Sequence, residues 1–145
     1  MGLVPKYIKN LSQTSSDTRH LIEFLSQNHP EEIHRLNGMF AFGFFDSTEK
    51  SILLARDKLG IKPLYFMQTK EFPLIFSSEI KPLLSFKFSN GEIRENEIEN
   101  YLMFGGINKF SNLVSDIHSV QPGGYLKWNL EKTIESVEKD IGPIE

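Results

Sequence analysis

Reactive side chains are unevenly supplied in this chain. It has no cysteine, which removes disulfides, thiolate zinc sites and a cysteine nucleophile from these 145 residues. Four histidines remain as metal-ligand candidates, His20, His29, His34 and His118. No two of them stand at the i, i+4 helical spacing that aims both rings at one ion, so no metal site is expected. The glycine pairs Gly105-Gly106 and Gly123-Gly124 lack the Lys-Ser/Thr or third glycine of a phosphate cradle. GxSxG is absent, so a hydrolytic triad has no support. The charged dipeptide Arg56-Asp57 closes an apolar run and precedes Gly60 and Pro63. Taken alone these residues read as a charged pair on a hairpin rim, a turn residue and a preset backbone angle.

Composition limits the alternatives. A charged fraction of 24%, 12% aromatics and a net charge of −3 describe a globular chain with no electrostatic claim on a polyanion, so no nucleic-acid partner is expected. The longest apolar run, Met39 to Phe45, has seven residues, against about 20 for a membrane span. The start of the chain lacks a charged region followed by an apolar stretch, and Lys6 stands where a myristoylation signal needs Ser or Thr. A soluble cytoplasmic chain with one core is expected.

The apolar period then places the elements. Thr14-Ser15-Ser16-Asp17 offers side chains for the free N–H groups of a helix start; Leu21, Ile22 and Leu25 continue at helical spacing, and Asn28-His29-Pro30 stops the helix. A second short helical stretch is predicted from Glu31 to Leu36. From Met39 the period becomes two, with Phe40, Phe42 and Phe44 on one face and Met39, Ala41, Gly43 and Phe45 on the other. Both faces being apolar, the expectation is a central strand covered on both sides, with small Ala41 and Gly43 admitting a neighbouring layer closely. Asp46 to Lys50 turns it into a second central strand, Ile52 to Ala55. Leu64 to Met67 and Leu74 to Ser77 predict another strand pair, followed by a helix kept short by Pro82. Glu95 to Phe104 predicts a helix whose apolar residues are Ile98, Tyr101, Leu102 and Met103, ended by Gly105. Late strands are expected around the Pro122-Gly123 turn.

Several segments in order carry a resemblance. They are Ser16-Asp17-Thr18, the LNGMFAF stretch from Leu36, LLARDKLGIKPLYF from Leu53, FSSEIKPLL from Phe76, and SVQPGGYLKW from Ser119. Over roughly residues 13–130 the chain resembles the C-terminal part of the class II glutamine amidotransferase domain found at the front of glutamine-hydrolysing asparagine synthetases. The resemblance implies an α+β chain with a partial four-layer αββα N-terminal-nucleophile hydrolase fold, in which stacked antiparallel sheets lie between flanking helices. Residues 1–130 would form that domain without its N-terminal catalytic part, and residues 131–145 a linker or cut end.

The resemblance also implies site residues. Asp17 matches the aspartate that receives the α-ammonium of glutamine, a charge-assisted contact; on residue chemistry alone it is an acidic residue at a helix start. Arg19 stands where the family has an acidic residue. The family's cysteine nucleophile, carboxylate-gripping arginine and oxyanion-hole Asn-Gly pair lie upstream of the position of Ser16, which only fifteen residues precede. No catalytic residue is therefore assigned. Asn90-Gly91-Glu92-Ile93 is similar to the oxyanion-hole sequence but lies downstream of the SSEIK segment, and is read as a turn. The chain is expected to be inactive by itself, as a truncated gene product or an excised part. It could alternatively serve as a non-catalytic binding or assembly module, or as one half of a split amidotransferase. Its expected partners are glutamine, bound weakly, and a second copy or a complementing N-terminal half paired through exposed strand edges. No cofactor is expected in the chain; ATP and magnesium are implied only for the absent synthetase domain that converts aspartate to asparagine.

Overall fold

The computed structural model describes residues 16–27, 30–85, 89–105 and 113–130, with the backbone alone of residues 4–5. In chain order the elements are β1 (Val4–Pro5), α1 (Asp17–Gln27), a 3-10 helix (Pro30–Arg35), β2 (Leu36–Asn37), β3 (Ala41–Asp46) and β4 (Ser51–Arg56). There follow β5 (Tyr65–Met67), β6 (Ile75–Ser77), α2 (Ile80–Leu84), α3 (Glu95–Phe104), β7 (His118–Ser119) and β8 (Tyr125–Asn129).

Side-chain alternation stacks these elements into layers. All strand pairings are antiparallel: β1 with β2, a sheet of order β3-β4-β8, and a second sheet of order β6-β5-β7. Along β4, Leu53 and Ala55 turn to one side and pack with Phe24 of α1, Ile33, Leu36 and Phe40, while Leu54 turns to the other and packs with Leu64, Phe66 and Leu126. The second sheet repeats the division. Phe66 faces the first sheet, whereas Tyr65 packs on the opposite side against a cluster holding Met67, Leu83 of α2 and Ile117. The order is helix, sheet, sheet, helix, the stacked antiparallel arrangement that the sequence led us to expect.

Local chemistry explains the boundaries. α1 begins at Asp17, where the Ser16 carbonyl accepts N–H groups from Arg19 and His20; the expected stop at Asn28-His29 lies outside the described residues. Asp46 Oδ1 accepts the N–H groups of Thr48 and Glu49 at 2.8 and 3.0 Å, which closes the β3–β4 turn in the manner of an aspartate turn. Pro82 is the third residue of α2, inside the first turn, where helical N–H groups have no intrahelical acceptor to lose. Gly105 caps α3 in the left-handed conformation at φ 69°.

Two expectations require correction. β3 is not a central strand among the described residues: it pairs with β4 alone, and Phe45 is 57% exposed. Apolar side chains on both faces report layers above and below a strand, not neighbours on both of its edges. β4 is the strand covered throughout. The close approach expected at Gly43 is nonetheless present, since a Cβ built there would lie 2.7 Å from the Phe76 ring of the second sheet. The second correction concerns α3, which forms with the expected bounds but turns its apolar residues outward. Leu102, Met103 and Phe104 are at least 75% exposed, and the one buried residue of the helix is Glu97.

The layer interface gives a stability test. Leu54 is fully buried between the sheets, so Leu54→Ala should cost about 2–5 kcal/mol by lost transfer energy and a residual cavity. Leu102→Ala, on the exposed side of α3, should stay within about 0.5 kcal/mol of the parent. Urea denaturation followed by circular dichroism measures both; equal losses would contradict the layer assignment.

Candidate functional site

The residue after β4 gathers more of the chain than any hydrophobic contact does. Asp57 is 1% exposed. Its Oδ1 accepts the N–H groups of Leu59 and Ile61 at 3.2 and 3.0 Å, and its Oδ2 accepts that of Lys62 at 2.9 Å. The Asp57 backbone N–H donates to the Phe40 carbonyl, and its carbonyl accepts the N–H groups of Gly60 and Gly123. One residue thereby ties the approach to β3, the loop after β4 and the turn before β8.

Arg56 completes the clamp. Its Nε donates to the Lys62 carbonyl at 2.8 Å, and its two terminal nitrogens donate to the Gly60 and Val120 carbonyls and to Ser119 Oγ at 2.8 to 3.0 Å. Gly60 has φ +64°, and a Cβ on it would meet Pro122 at 2.8 Å, so both its conformation and its space require glycine. These two charges are therefore not a solvated rim, as the sequence suggested. The loop buries backbone N–H groups that need acceptors, and a carboxylate is the side chain that accepts several at once.

Beside the clamp lies a cleft of about 660 Å³. Leu21, Ile22, Phe40, Phe42 and Phe44 supply much of its apolar wall, and Asp17, Thr18, Lys62 and Ser78 supply its polar side chains. Its direction follows from a second, smaller cleft, where Leu25, Ser26 and Gln27 share walls with Phe44, Asp46 and Ser51. α1 therefore runs alongside β3 with its C-terminal turn near the β3–β4 turn. Its first residues, Asp17 and Thr18, lie toward the opposite end of β3, where Asp57 holds Phe40 and Lys62. Asp17 is exposed, and Arg19 does not neutralise it, because Arg19 faces Glu23 at 3.6 Å.

The other sequence candidates lie elsewhere. Asn90-Gly91 forms a local turn, with the Asn90 N–H donating to Asp116 Oδ2 and Asn90 Oδ1 accepting the Glu92 N–H. Neither residue lines the cleft. His34 places Nδ1 against the Glu31 carbonyl, and the His118 ring lies 5.4 Å from that of Phe66; His29 is outside the described residues. Asp17 thus shares a cleft with Thr18, Lys62 and Ser78, of which only Asp17 and Thr18 belonged to a segment singled out for a ligand. The clamp had a readable signal: an acidic residue directly ahead of a short loop containing Gly60 and Pro63 offers its oxygens to that loop's own N–H groups.

Comparison with known proteins gives a consistent family. A sequence model of the glutamine amidotransferase domain matches residues 6–138. Asparagine synthetase [glutamine-hydrolyzing] 1 of Bacillus subtilis is 32% identical over 110 residues, covering 76% of this chain and 17% of that protein. Asparagine synthetase [glutamine-hydrolyzing] 2 of Arabidopsis thaliana is 32% identical over 117 residues, 80% of this chain and 17% of its own length. Asparagine synthetase B of Escherichia coli is 39% identical over 72 residues, 50% of this chain and 13% of its own. The chain spans less than a fifth of the length of these three relatives.

The clamp predicts a large effect from small changes. Asp57→Asn replaces an oxygen by an amide that donates toward N–H groups, and should lower stability by about 2–3 kcal/mol. Arg56→Lys keeps the charge but loses the planar fork, with an expected loss of about 1–3 kcal/mol. Chemical denaturation of the two variants checks this; parental midpoints would show that the loop does not depend on the pair.

Proposed function

The chain belongs to the glutamine amidotransferase domain family, and from that premise we propose that it is the glutamine-gripping part of a glutaminase domain serving an asparagine synthetase-like enzyme. The observation that carries this is the placement of Asp17, exposed and with no ion-pair partner among the described residues, at the end of an apolar cleft. The carboxylate accepts the α-ammonium of glutamine, and the apolar wall takes its methylenes. Binding at the first turn of α1 does not need a compensating cation from the helix, because the N–H groups there favour the carboxylate charge.

The family reaction converts glutamine and water to glutamate and ammonia, which is then used for ATP-dependent amidation of aspartate. Its first step requires a thiolate on the side-chain amide carbon, followed by loss of ammonia and hydrolysis of the thioester. These 145 residues contain no cysteine, so this chain alone does not carry out that step, and the sulfur comes from outside it. The ATP- and magnesium-dependent step is likewise assigned to sequence beyond this chain. No helix among the described residues is long and apolar enough to cross a membrane.

A second reading draws on the edge of β3 that pairs with no other strand among the described residues, along which the cleft runs. An added strand, from a complementing N-terminal half or a second copy, would pair there and bring its own side chains beside Asp17.

Calorimetric titration with glutamine should detect binding that Asp17→Ala weakens at least about tenfold, while an ammonia assay on the same chain stays at background. Ammonia release above background, or binding indifferent to Asp17→Ala, would overturn the proposal. Light scattering over a concentration series tests the second reading: association favours edge pairing, and a strictly monomeric species counts against a second copy as the added strand.

A further inference from the structure

The Asn90-Gly91 turn takes no part in the cleft and carries chemistry of its own. An asparagine followed by glycine holds a side-chain amide carbon beside the next backbone nitrogen, and glycine leaves that nitrogen unshielded. Two such pairs occur, Asn37-Gly38 and Asn90-Gly91, and the structure treats them differently. Asn37 lies in β2 and pairs with Val4 of β1, so a strand ladder restrains its backbone. Asn90 and Gly91 are exposed and belong to no helix or strand, and a Cβ built on Gly91 would meet nothing within 4 Å. The Asn90 side chain folds back on its own turn: Oδ1 accepts the Glu92 N–H at 3.1 Å and lies 3.4 Å from Ser115 Oγ, and Nδ2 donates to Glu92 Oε2 at 3.3 Å. The Asn90 N–H is fixed on Asp116 Oδ2 at 2.9 Å, whereas the Gly91 N–H makes a long bond to Ser89 Oγ at 3.3 Å.

We propose that Asn90-Gly91 is a self-modification site, at which the turn promotes deamidation of Asn90 to aspartate and isoaspartate while the β2 ladder spares Asn37. The deprotonated Gly91 nitrogen attacks Asn90 Cγ, and a C–N bond forms. Negative charge develops on Oδ1, where the Glu92 N–H already points. The Cγ–Nδ2 bond then breaks, the proton lost by Gly91 returns to Nδ2 through solvent, and ammonia leaves a cyclic imide behind. Water opens the imide at either carbonyl, giving aspartate or an isoaspartate whose main chain runs through Cβ. Each conversion consumes one water and releases one ammonia. The consequence falls on α3. A carboxylate at position 90 loses the Nδ2 donor that faces Glu92 and adds a like charge beside Asp116. The isoaspartate also lengthens the main chain just ahead of the Ile93–Val114 bridge and of the Arg94 N–H bond to the Leu113 carbonyl, which seat the start of α3. The cleft is untouched, because neither this turn nor α3 lines it.

Incubation of the intact chain at mildly alkaline pH, sampled over time by peptide mass spectrometry, tests this. In the folded chain Asn90 should convert at least about tenfold faster than Asn37. In urea, where neither the turn nor the ladder exists, the two rates should converge. The rate at Asn90 should rise with pH, since the nucleophile is the deprotonated nitrogen. Ammonia released on ageing should approach one equivalent per chain; it is independent of added glutamine and so forms part of the background against which glutaminase activity is read. Asn90→Gln, which enlarges the ring to be closed, should abolish that ammonia and leave any glutamine binding at Asp17 unchanged. Asp116→Ala releases the Asn90 N–H and should bring the folded rate at Asn90 toward the rate in urea. Amide hydrogen exchange of the aged chain should quicken in α3 and stay as it was in β3 and β4. The proposal is overturned if Asn90 keeps its amide in the folded chain while converting in urea, or if Asn37 keeps pace with it. A folded rate at Asn90 that equals the urea rate and ignores Asp116→Ala would likewise overturn the part assigned to the turn.

Discussion

A buried carboxylate surrounded by backbone N–H groups is the constraint on which the rest depends. Asp57 is nearly inaccessible, and no described cation pairs with it; its negative charge is compensated by three loop N–H dipoles. Such an arrangement tolerates little substitution, because removing the acceptor leaves buried donors unsatisfied and removing the donors leaves a buried charge. Arg56 does the complementary work for carbonyl groups of the same loop and of the segment before β8. Together they join the first sheet, the loop after β4 and the connection from β7 to β8, and so fix the relative position of the two sheets at the end where the cleft opens.

Much of this fold was legible, and the reason differs by element. The hairpin β3–β4 and the strand pair β5–β6 could be read because their apolar periods are interrupted by turn chemistry that the structure uses, as at Asp46. The end of α3 could be read because Gly105 is the residue that adopts a left-handed cap without strain. The two misreadings share a cause. An apolar stripe states what a strand or helix would bury, and only the neighbouring elements decide whether it is buried; Phe45 and Leu102 are exposed for want of a described neighbour. Arg56-Asp57 was undervalued because sequence shows a charge's neighbours in the chain, and the partners of Arg56 include Ser119 and Val120, more than sixty residues away.

The site was legible only through resemblance. Composition and spacing gave Asp17 no more than a helix-start role, and the family likeness supplied the ammonium. What the structure adds is company: Thr18, Lys62 and Ser78 share its cleft, and no sequence period connects residue 17 to residue 62. The same geometry sets aside Asn90-Gly91, whose hydrogen bonds close a local turn against Asp116.

The central claim is that an amino acid binds where α1 begins, beside the approach to β3. An amide-resolved NMR titration of the chain with glutamine tests it most directly. The account predicts shifts concentrated at Asp17, Thr18, Phe40 to Gly43 and Lys62, with the amides of Asn90 to Glu92 unmoved. Shifts centred on Asn90-Gly91, or a spectrum unchanged at millimolar glutamine, would contradict it.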